Sequence, residues 1–293
     1  MNFVRFFLLT KLHLFHQTAN LCLLILVFAL SGKPVFAQST HVGIMLGVSN
    51  YWGELSPTSW VMSETHPAVA LSVRHELNTY LSLRGQLSYA MVSGNDANSN
   101  DYTINLRNLH FKSNIWEASI QALIEPFGNQ NRFIPYVYGG IGIFRFSPKA
   151  RDREGNWVEL QPLGTEGQGL GYDLPRFYSR TQVMLPVGIG IRYKVNEQWE
   201  AGIEGGFRKI FTDYLDDVST YYFDNAELRR QRGDLAADMA DQTDIFLNND
   251  DLHQVAGDVR GNPESSDGYF IVGLTLSYKF RDGGSERYGC AKF

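Results

Sequence analysis

Read at every second residue, the chain separates into an apolar and a polar face along segment after segment. From 269 to 280 the even positions are Phe270, Val272, Leu274, Leu276, Tyr278 and Phe280, and the odd ones are Tyr269, Ile271, Gly273, Thr275, Ser277 and Lys279. The stretch 182–195 sets Val183, Leu185, Val187, Ile189, Ile191, Tyr193 and Val195 against Gln182, Met184, Pro186, Gly188, Gly190, Arg192 and Lys194. Its successor opposes Trp199, Ala201, Ile203, Gly205 and Phe207 to Glu200, Gly202, Glu204, Gly206 and Arg208. A period of two is that of a β-strand whose faces meet different surroundings. Leu81 to Met91, Val69 to Arg74 and Val42 to Val48 follow the same rule. A longer strand spans about 106–125, where the apolar parity slips near Ser113, from Leu109 and Phe111 to Trp116, Ala118 and Ile120; the slip predicts a bulge. Phe133 to Phe146 is apolar on both parities. Eight strands result.

The spaces between these strands alternate in length. Short connections fall at about Asn78-Thr79, Pro126 to Asn131 and Asn196-Glu197, and long ones at about 52–66, 93–105, 148–180 and 212–267. All short turns then share one end. An even number of antiparallel strands, an apolar band and short turns opposite long loops predict an all-β chain folded as an eight-stranded transmembrane β-barrel of the outer membrane. Both termini and the short turns are placed in the periplasm, the long loops outside. Rings gather at the expected interfaces: Tyr193, Trp199, Tyr278 and Phe280 on the periplasmic side, with Tyr51, Tyr89, Phe211 and Phe270 on the other. The alternative is a soluble lipocalin-type barrel, in which the apolar face would point inward.

If the apolar face meets lipid, then Arg74, Glu76, Arg84, Glu117, Arg192, Lys194, Glu200, Glu204 and Arg208 point into the lumen. Eight strands enclose a space just wide enough for side chains. Buried ions need partners, so these residues are expected to pair into an ionic core that plugs the barrel. Gly139, Gly140, Gly188, Gly190, Gly205 and Gly206 are expected to leave room for them.

Before the first strand, residues 1–37 have a basic opening (Arg5, Lys11), an apolar stretch from Leu21 to Leu30 and small residues at Val35 and Ala37. That is a secretory signal with Gln38 as the new N-terminus, or else a retained membrane anchor. Without it the formal charge changes from −5 to −8, which argues against nucleic acid as a partner. Cys290 is then the single cysteine, in a periplasmic tail spanning 281–293, either a free thiol or a tether to another chain.

Candidate chemistry is sparse. The mature chain has five histidines, His41, His66, His75, His110 and His253, and His110 is the best placed for a Ser/His lipid hydrolase, although no G-x-S-x-G or H-E-x-x-H accompanies it. Gly167 to Gly171 is a flexible loop, not a phosphate loop. No catalytic residue, cofactor, metal or small-molecule substrate is expected. The segment 212–267 holds fourteen acids and four arginines, a net of about −10. Asp213, Asp216 and Asp217 could offer hard oxygen ligands, but their spacing does not match the twelve-residue calcium loop; the other reading is a solvated or partner-facing loop. Residues 225–239 could form a short helix over the mouth.

Six phrases occur in order along the chain: Tyr51-Trp52-Gly53-Glu54-Leu55; Arg107-Asn108-Leu109 with Phe111; Pro135-Tyr136-Val137-Tyr138-Gly139-Gly140; Pro162-Leu163-Gly164-Thr165-Glu166-Gly167-Gln168; Thr212-Asp213-Tyr214-Leu215-Asp216-Asp217-Val218-Ser219; and Arg260-Gly261-Asn262-Pro263. Together they resemble the PorG-like family of outer-membrane proteins over nearly all of residues 40–280. The resemblance implies an eight-stranded barrel that acts without catalytic residues, as an accessory anchor or scaffold of the type IX secretion and gliding machinery. The implied partner is a periplasmic ring lipoprotein. The long loop after Thr212 and the Cys290 tail depart from that pattern. A surface adhesion or envelope-integrity barrel working through its loops is the alternative, and a lipid-modifying enzyme a third.

Overall fold

The alternating segments form long antiparallel strands in the computed structural model, which describes residues 39–56, 58, 60–171, 175–248 and 253–280. In chain order these are β1 (Thr40–Trp52), β2 (His66–Glu76), β3 (Leu81–Asn95), β4 (His110–Ile124), β5 (Phe133–Arg151), the three-residue β6 (Trp157–Glu159), β7 (Thr181–Lys194), β8 (Trp199–Ile210) and β9 (Gly268–Phe280). Neighbours pair in sequence, β6 hangs from β5 alone, and β1 pairs with β9, so eight strands close into a ring without a free edge. Closure is what a lipid-facing sheet requires, because an open edge would leave N–H and C=O groups unpaired in hydrocarbon. Among the described residues no helix is long and apolar enough to cross a membrane.

The two faces of the wall decide between lipid and water outside. Leu46, Ile189 and Leu274 are 62%, 67% and 68% exposed, whereas Arg84, Glu204 and Arg208 are 6%, 2% and 1% exposed. A soluble barrel has the opposite arrangement. Ring pairs bound the apolar wall at both ends: Phe133 with Tyr193 (4.8 Å between centroids) and Trp199 with Tyr278 (5.1 Å) at the short-turn end. Trp52 with Phe207 (5.0 Å) and Tyr89 with Trp116 (4.9 Å) stand at the long-loop end. Tyr51 is not among them. It is 1% exposed and turned inward, and Trp52 takes the outward place.

Two details of the strands differ from expectation. Residues Tyr102–Arg107 form a helix, α1, capped by the Asp101 side chain on the Thr103 N–H and ended at Asn108 with φ 54°, so β4 begins only at His110. Nor is there a bulge near Ser113, since β4 pairs with β3 in unbroken register from Leu81↔Ile124 to Asn95↔His110. The parity slip has another cause: Phe111 and Ile115 point inward, where the long-loop half of the lumen is apolar, and Trp116 points outward. In the last loop the expected single helix is two, α2 (Asn225–Arg232) and α3 (Asp234–Ala240), separated at Gly233, whose φ of 91° only glycine adopts readily. A further short helix, α4, spans Thr243–Leu247. Residues 1–37, expected above to be a secretory signal, and the tail 281–293 with Cys290 lie outside the described residues.

Candidate functional site

The lumen is filled in layers, beginning with a ring of charge at the short-turn end. Inward positions of β1, β2, β7 and β8, with the first residue after β4, bring together His41, Arg74, Glu76, Glu125, Arg192 and Glu200. Arg74 Nη2 donates to Glu200 Oε2 at 2.5 Å and Nη1 to Glu76 Oε1 at 3.2 Å. Arg192 Nη2 donates to Glu125 Oε1 at 2.5 Å. His41 Nε2 lies 3.0 Å from Glu76 Oε1. In the next layer Arg84 grips Glu204 through both terminal nitrogens (2.5 and 3.0 Å), and the Tyr136 hydroxyl donates to the same carboxylate at 2.6 Å. A third pair follows, with Arg208 Nε 3.6 Å from Glu117 Oε1 and the Tyr269 hydroxyl donating to that oxygen at 2.6 Å. Opposite charges so placed offset the desolvation that each would suffer alone.

Eight of the nine residues named for the ionic core from sequence lie in these layers. Lys194 does not: it is the last residue of β7, half-buried at the mouth, and its ammonium donates to the Asn129 carbonyl. Two members went unnamed, His41 and Glu125, because one opens a strand and the other follows one. The glycines make room, but chiefly for rings. A Cβ on Gly190 would lie 2.4 Å from the Tyr136 ring and one on Gly188 2.5 Å from the Tyr138 ring, and it is over these rings that Arg192 (4.5 Å) and Arg84 (4.8 Å) stack. Gly139 and Gly205 face the outer wall, beside Val187 and Val272.

Above the charges lies an apolar layer in which Tyr51 meets Phe111 edge-on (4.8 Å) and Phe144 stacks on Phe146 (5.4 Å). The cap over it is built from five of the six sequence phrases, brought together from distant loops. The Tyr51 hydroxyl lies 2.7 Å from both Asp216 Oδ2 and Asp267 Oδ1; Thr165 and Tyr178 donate to Asp217, both at 2.6 Å. Arg260 Nη1 donates to Glu166 Oε1 at 2.9 Å and to the Asp217 carbonyl at 2.6 Å, and Glu166 also accepts from Ser219, Thr220 and Tyr214. Arg107 pairs with Asp96 at 2.7 Å and donates to the Arg260 carbonyl, while Glu54 accepts from the Asn262 N–H. Leu215 is fully buried beneath, and the Tyr214 N–H is held by the Thr212 hydroxyl. The sixth phrase, Pro135 to Gly140, supplies the two lumen tyrosines.

These cap carboxylates lie outside the membrane-spanning strands and outnumber the cations beside them. Burial pushes Asp213 up to about 8 and Glu54 up to about 7, and it raises Asp216 and Asp267 as well, with neighbouring carboxylates adding to the shift on Asp213 and Asp216. Asp217 is raised less, to about 6, since Arg260 opposes the effect of burial. Asp213, Asp216 and Asp217 do not converge as a ligand trio: Asp216 and Asp217 turn to separate hydroxyls, and both Asp213 oxygens are buried without a hydrogen-bond partner. Elsewhere His41, Glu76 and Glu200 hold ligand-type atoms within 4.8 Å of one another, yet Arg74 and Arg192 already supply the positive charge there.

The histidines give no hydrolase geometry. His110 Nε2 accepts the Arg151 N–H at 2.9 Å, a link between strands. A Ser/His contact that sequence reading missed does exist, with Ser93 Oγ 2.6 Å from His66 Nε2. Its serine donates to Glu64, so the carboxylate takes the hydroxyl proton and the imidazole is left to donate, the reverse of nucleophile activation.

Among solved structures the chain is similar to the attachment invasion locus protein Ail of Yersinia pestis, in complex with a heparin analogue (TM-score 0.41, 9% identity, covering 83% of this chain and 99% of that one). It is also similar to Neisserial surface protein A (0.41, 11%, 83% and 99%) and to a major outer membrane protein of Thermus thermophilus (0.41, 12%, 83% and 100%). No curated protein matches the chain. Residues 19–157 match the family model described as a domain of unknown function, DUF6089.

Proposed function

We propose that this chain is a non-enzymatic barrel of a Gram-negative outer membrane, with both termini in the periplasm, that anchors or stabilises a type IX secretion or gliding assembly. One observation carries the reading. The lumen is filled by paired charges and rings, but its short-turn end opens into a polar vestibule of about 1110 Å³ lined by residues that include Asn129, Arg132, Lys194, Gln198 and Lys279. A filled lumen offers no path for transport, whereas a polar socket offers a periplasmic protein a seat. The PorG-like resemblance names the class of partner, a ring lipoprotein, and β9, which the Cys290 tail follows in sequence, finishes at the same end. Extraction of the tagged chain from native outer membranes in mild detergent, followed by mass spectrometry, should recover that lipoprotein. Recovery of the barrel alone from membranes with an intact ring contradicts the proposal. For the tether, Cys290→Ser should remove a reducible higher band on a non-reducing gel.

A second reading, surface adhesion through the loops, is favoured by large apolar side chains that the cap leaves in the open: Met62, Tyr102, Val255 and Val259 are 66–78% exposed. Deleting residues 221–259 should then abolish adhesion while secretion continues.

A further inference from the structure

The outer wall carries an unbalanced cationic face just beyond its apolar belt. Outward positions of β5 run apolar through Phe133, Val137, Ile141 and Ile143, then turn basic at Arg145, Lys149 and Arg151. On β4 the same change follows Ile124, Ile120 and Trp116, with Lys112 beyond them. Register puts the two strands at one level, Trp116 beside Arg145 and Lys112 beside Lys149. The rise from Phe133 to Ile143, at about 3.3 Å per residue on a strand tilted about 40°, comes to about 25 Å, the height of the apolar band of such barrels. Arg145 therefore stands where hydrocarbon gives way to head groups.

The charges are not balanced within the wall. Lys112, Arg145, Lys149, Arg151 and Arg180 stand with one strand acid, Glu159, which lies 3.4 Å from Lys149 and 2.9 Å from Arg180; Asp152 and Glu154 follow in the turn after β5. Lys112 and Lys149 are paired directly across the sheet, an arrangement that repels unless an anion lies between them. Both Arg151 (5.0 Å) and Lys112 (5.7 Å) stand over Trp157, itself 45% exposed at the same rim. In a chain of net charge −5 with an acidic cap, this basicity is local.

We propose that the β4–β5–β6 wall binds the phosphates of outer-leaflet lipid, Lys112, Arg145, Lys149 and Arg151 holding the phosphorylated head group while Trp157 lies along it. The proposal rests on the outer-membrane orientation given above, but not on any periplasmic partner. Each cation near an anionic lipid surface adds to its attraction and is weakened by salt.

The test uses the full mature chain refolded into phosphatidylcholine nanodiscs containing bisphosphorylated lipid A, with lipid A retention read by native mass spectrometry after detergent exchange. Heat-modifiable gel migration reports separately that each variant is folded. The combined variant K112Q/R145Q/K149Q/R151Q should retain at least about tenfold less lipid A than the parent. Dephosphorylated lipid A should be retained no better by the parent than by the variant. E159Q, which releases Lys149 and Arg180, should increase retention. Equal retention by parent and combined variant, or no dependence on the lipid phosphates, would overturn the proposal. So would binding of a soluble sulfated polysaccharide by the same residues without any lipid A retention.

Discussion

Asp216 and Asp267 are held against one hydroxyl: Tyr51 Oη lies 2.7 Å from Asp216 Oδ2 and 2.7 Å from Asp267 Oδ1. A hydroxyl has one proton to donate. It can satisfy only one carboxylate, so the other acid must carry a proton of its own and donate it to the tyrosine oxygen. The remaining oxygens are also occupied, Asp216 Oδ1 by the Val218 N–H at 2.9 Å and Asp267 Oδ2 by the Leu215 N–H at 3.0 Å. The end of β1, the residues after β8 and the start of β9 are thus closed together by a proton.

The consequence is a cap that loosens as pH rises. Buried acids with raised folded values bind protons more tightly in the folded state. Their stabilising effect is complete below their unfolded values near 4 and fades as pH passes the folded ones, about 7 for Glu54 and about 8 for Asp213. Hydrogen exchange at residues 212–219 should show strong protection at pH 5 and weaker protection at pH 8, with the lumen strands unchanged. In Asp216→Asn the amide can donate permanently to Tyr51 and still accept from Val218, so protection should become flatter with pH. Protection that grows from pH 5 to 8 is the opposite of this expectation.

Arg84 and Glu204 make the most completely joined pair of the lumen. Removing one partner leaves a buried charge uncompensated. Arg84→Met or Glu204→Leu should each lower stability by about 3–5 kcal/mol, and the double variant should recover most of that loss. Urea unfolding from detergent or lipid, followed by tryptophan fluorescence, measures all three. Additive losses in the double variant would show that the pair does not act as a unit.

Two glycines of β7 and β8 separate the faces of the wall. A Cβ on Gly190 would collide with the Tyr136 ring, displacing the tyrosine that supports Glu204, whereas one on Gly205 would meet only Val272 methyls at 3.5 Å on the lipid side. Gly190→Ala should cost about 1–3 kcal/mol, as overpacking commonly does, and Gly205→Ala less than 1 kcal/mol, about the scale of a tolerated swap. The same unfolding assay compares them. Equal losses would mean that the inward ring contact is not a constraint.

How much of this was legible in the sequence follows from where the two faces differ in chemistry. Val183 to Val195 alternates cleanly because one side meets lipid and the other the charges and glycines of the lumen, so strand, face and inward Arg192 are all readable. The rule fails at Phe111 and Ile115, where the lumen itself is apolar and alternation carries no sign of which side is in. Lys194 obeys the parity but stands at the mouth, where a long side chain reaches a turn carbonyl. His41 and Glu125 lie where strands begin or end, and parity says little there. The cap is the least readable part. Tyr51 with Glu54, then Arg107, Glu166, Asp217 and Arg260, come from five separate stretches of the sequence, and only closure of the barrel brings their loops over one mouth.

The central claim, that the short-turn end docks a periplasmic partner, is tested most directly by a photo-crosslinking residue at Glu197, exposed in the turn between β7 and β8. The same residue at Tyr221, 55% exposed on the cap, serves as the comparison. In living cells the account predicts a covalent adduct to a periplasmic lipoprotein from position 197 and none from 221. An adduct from 221 to a surface component, with position 197 unreactive, would contradict it.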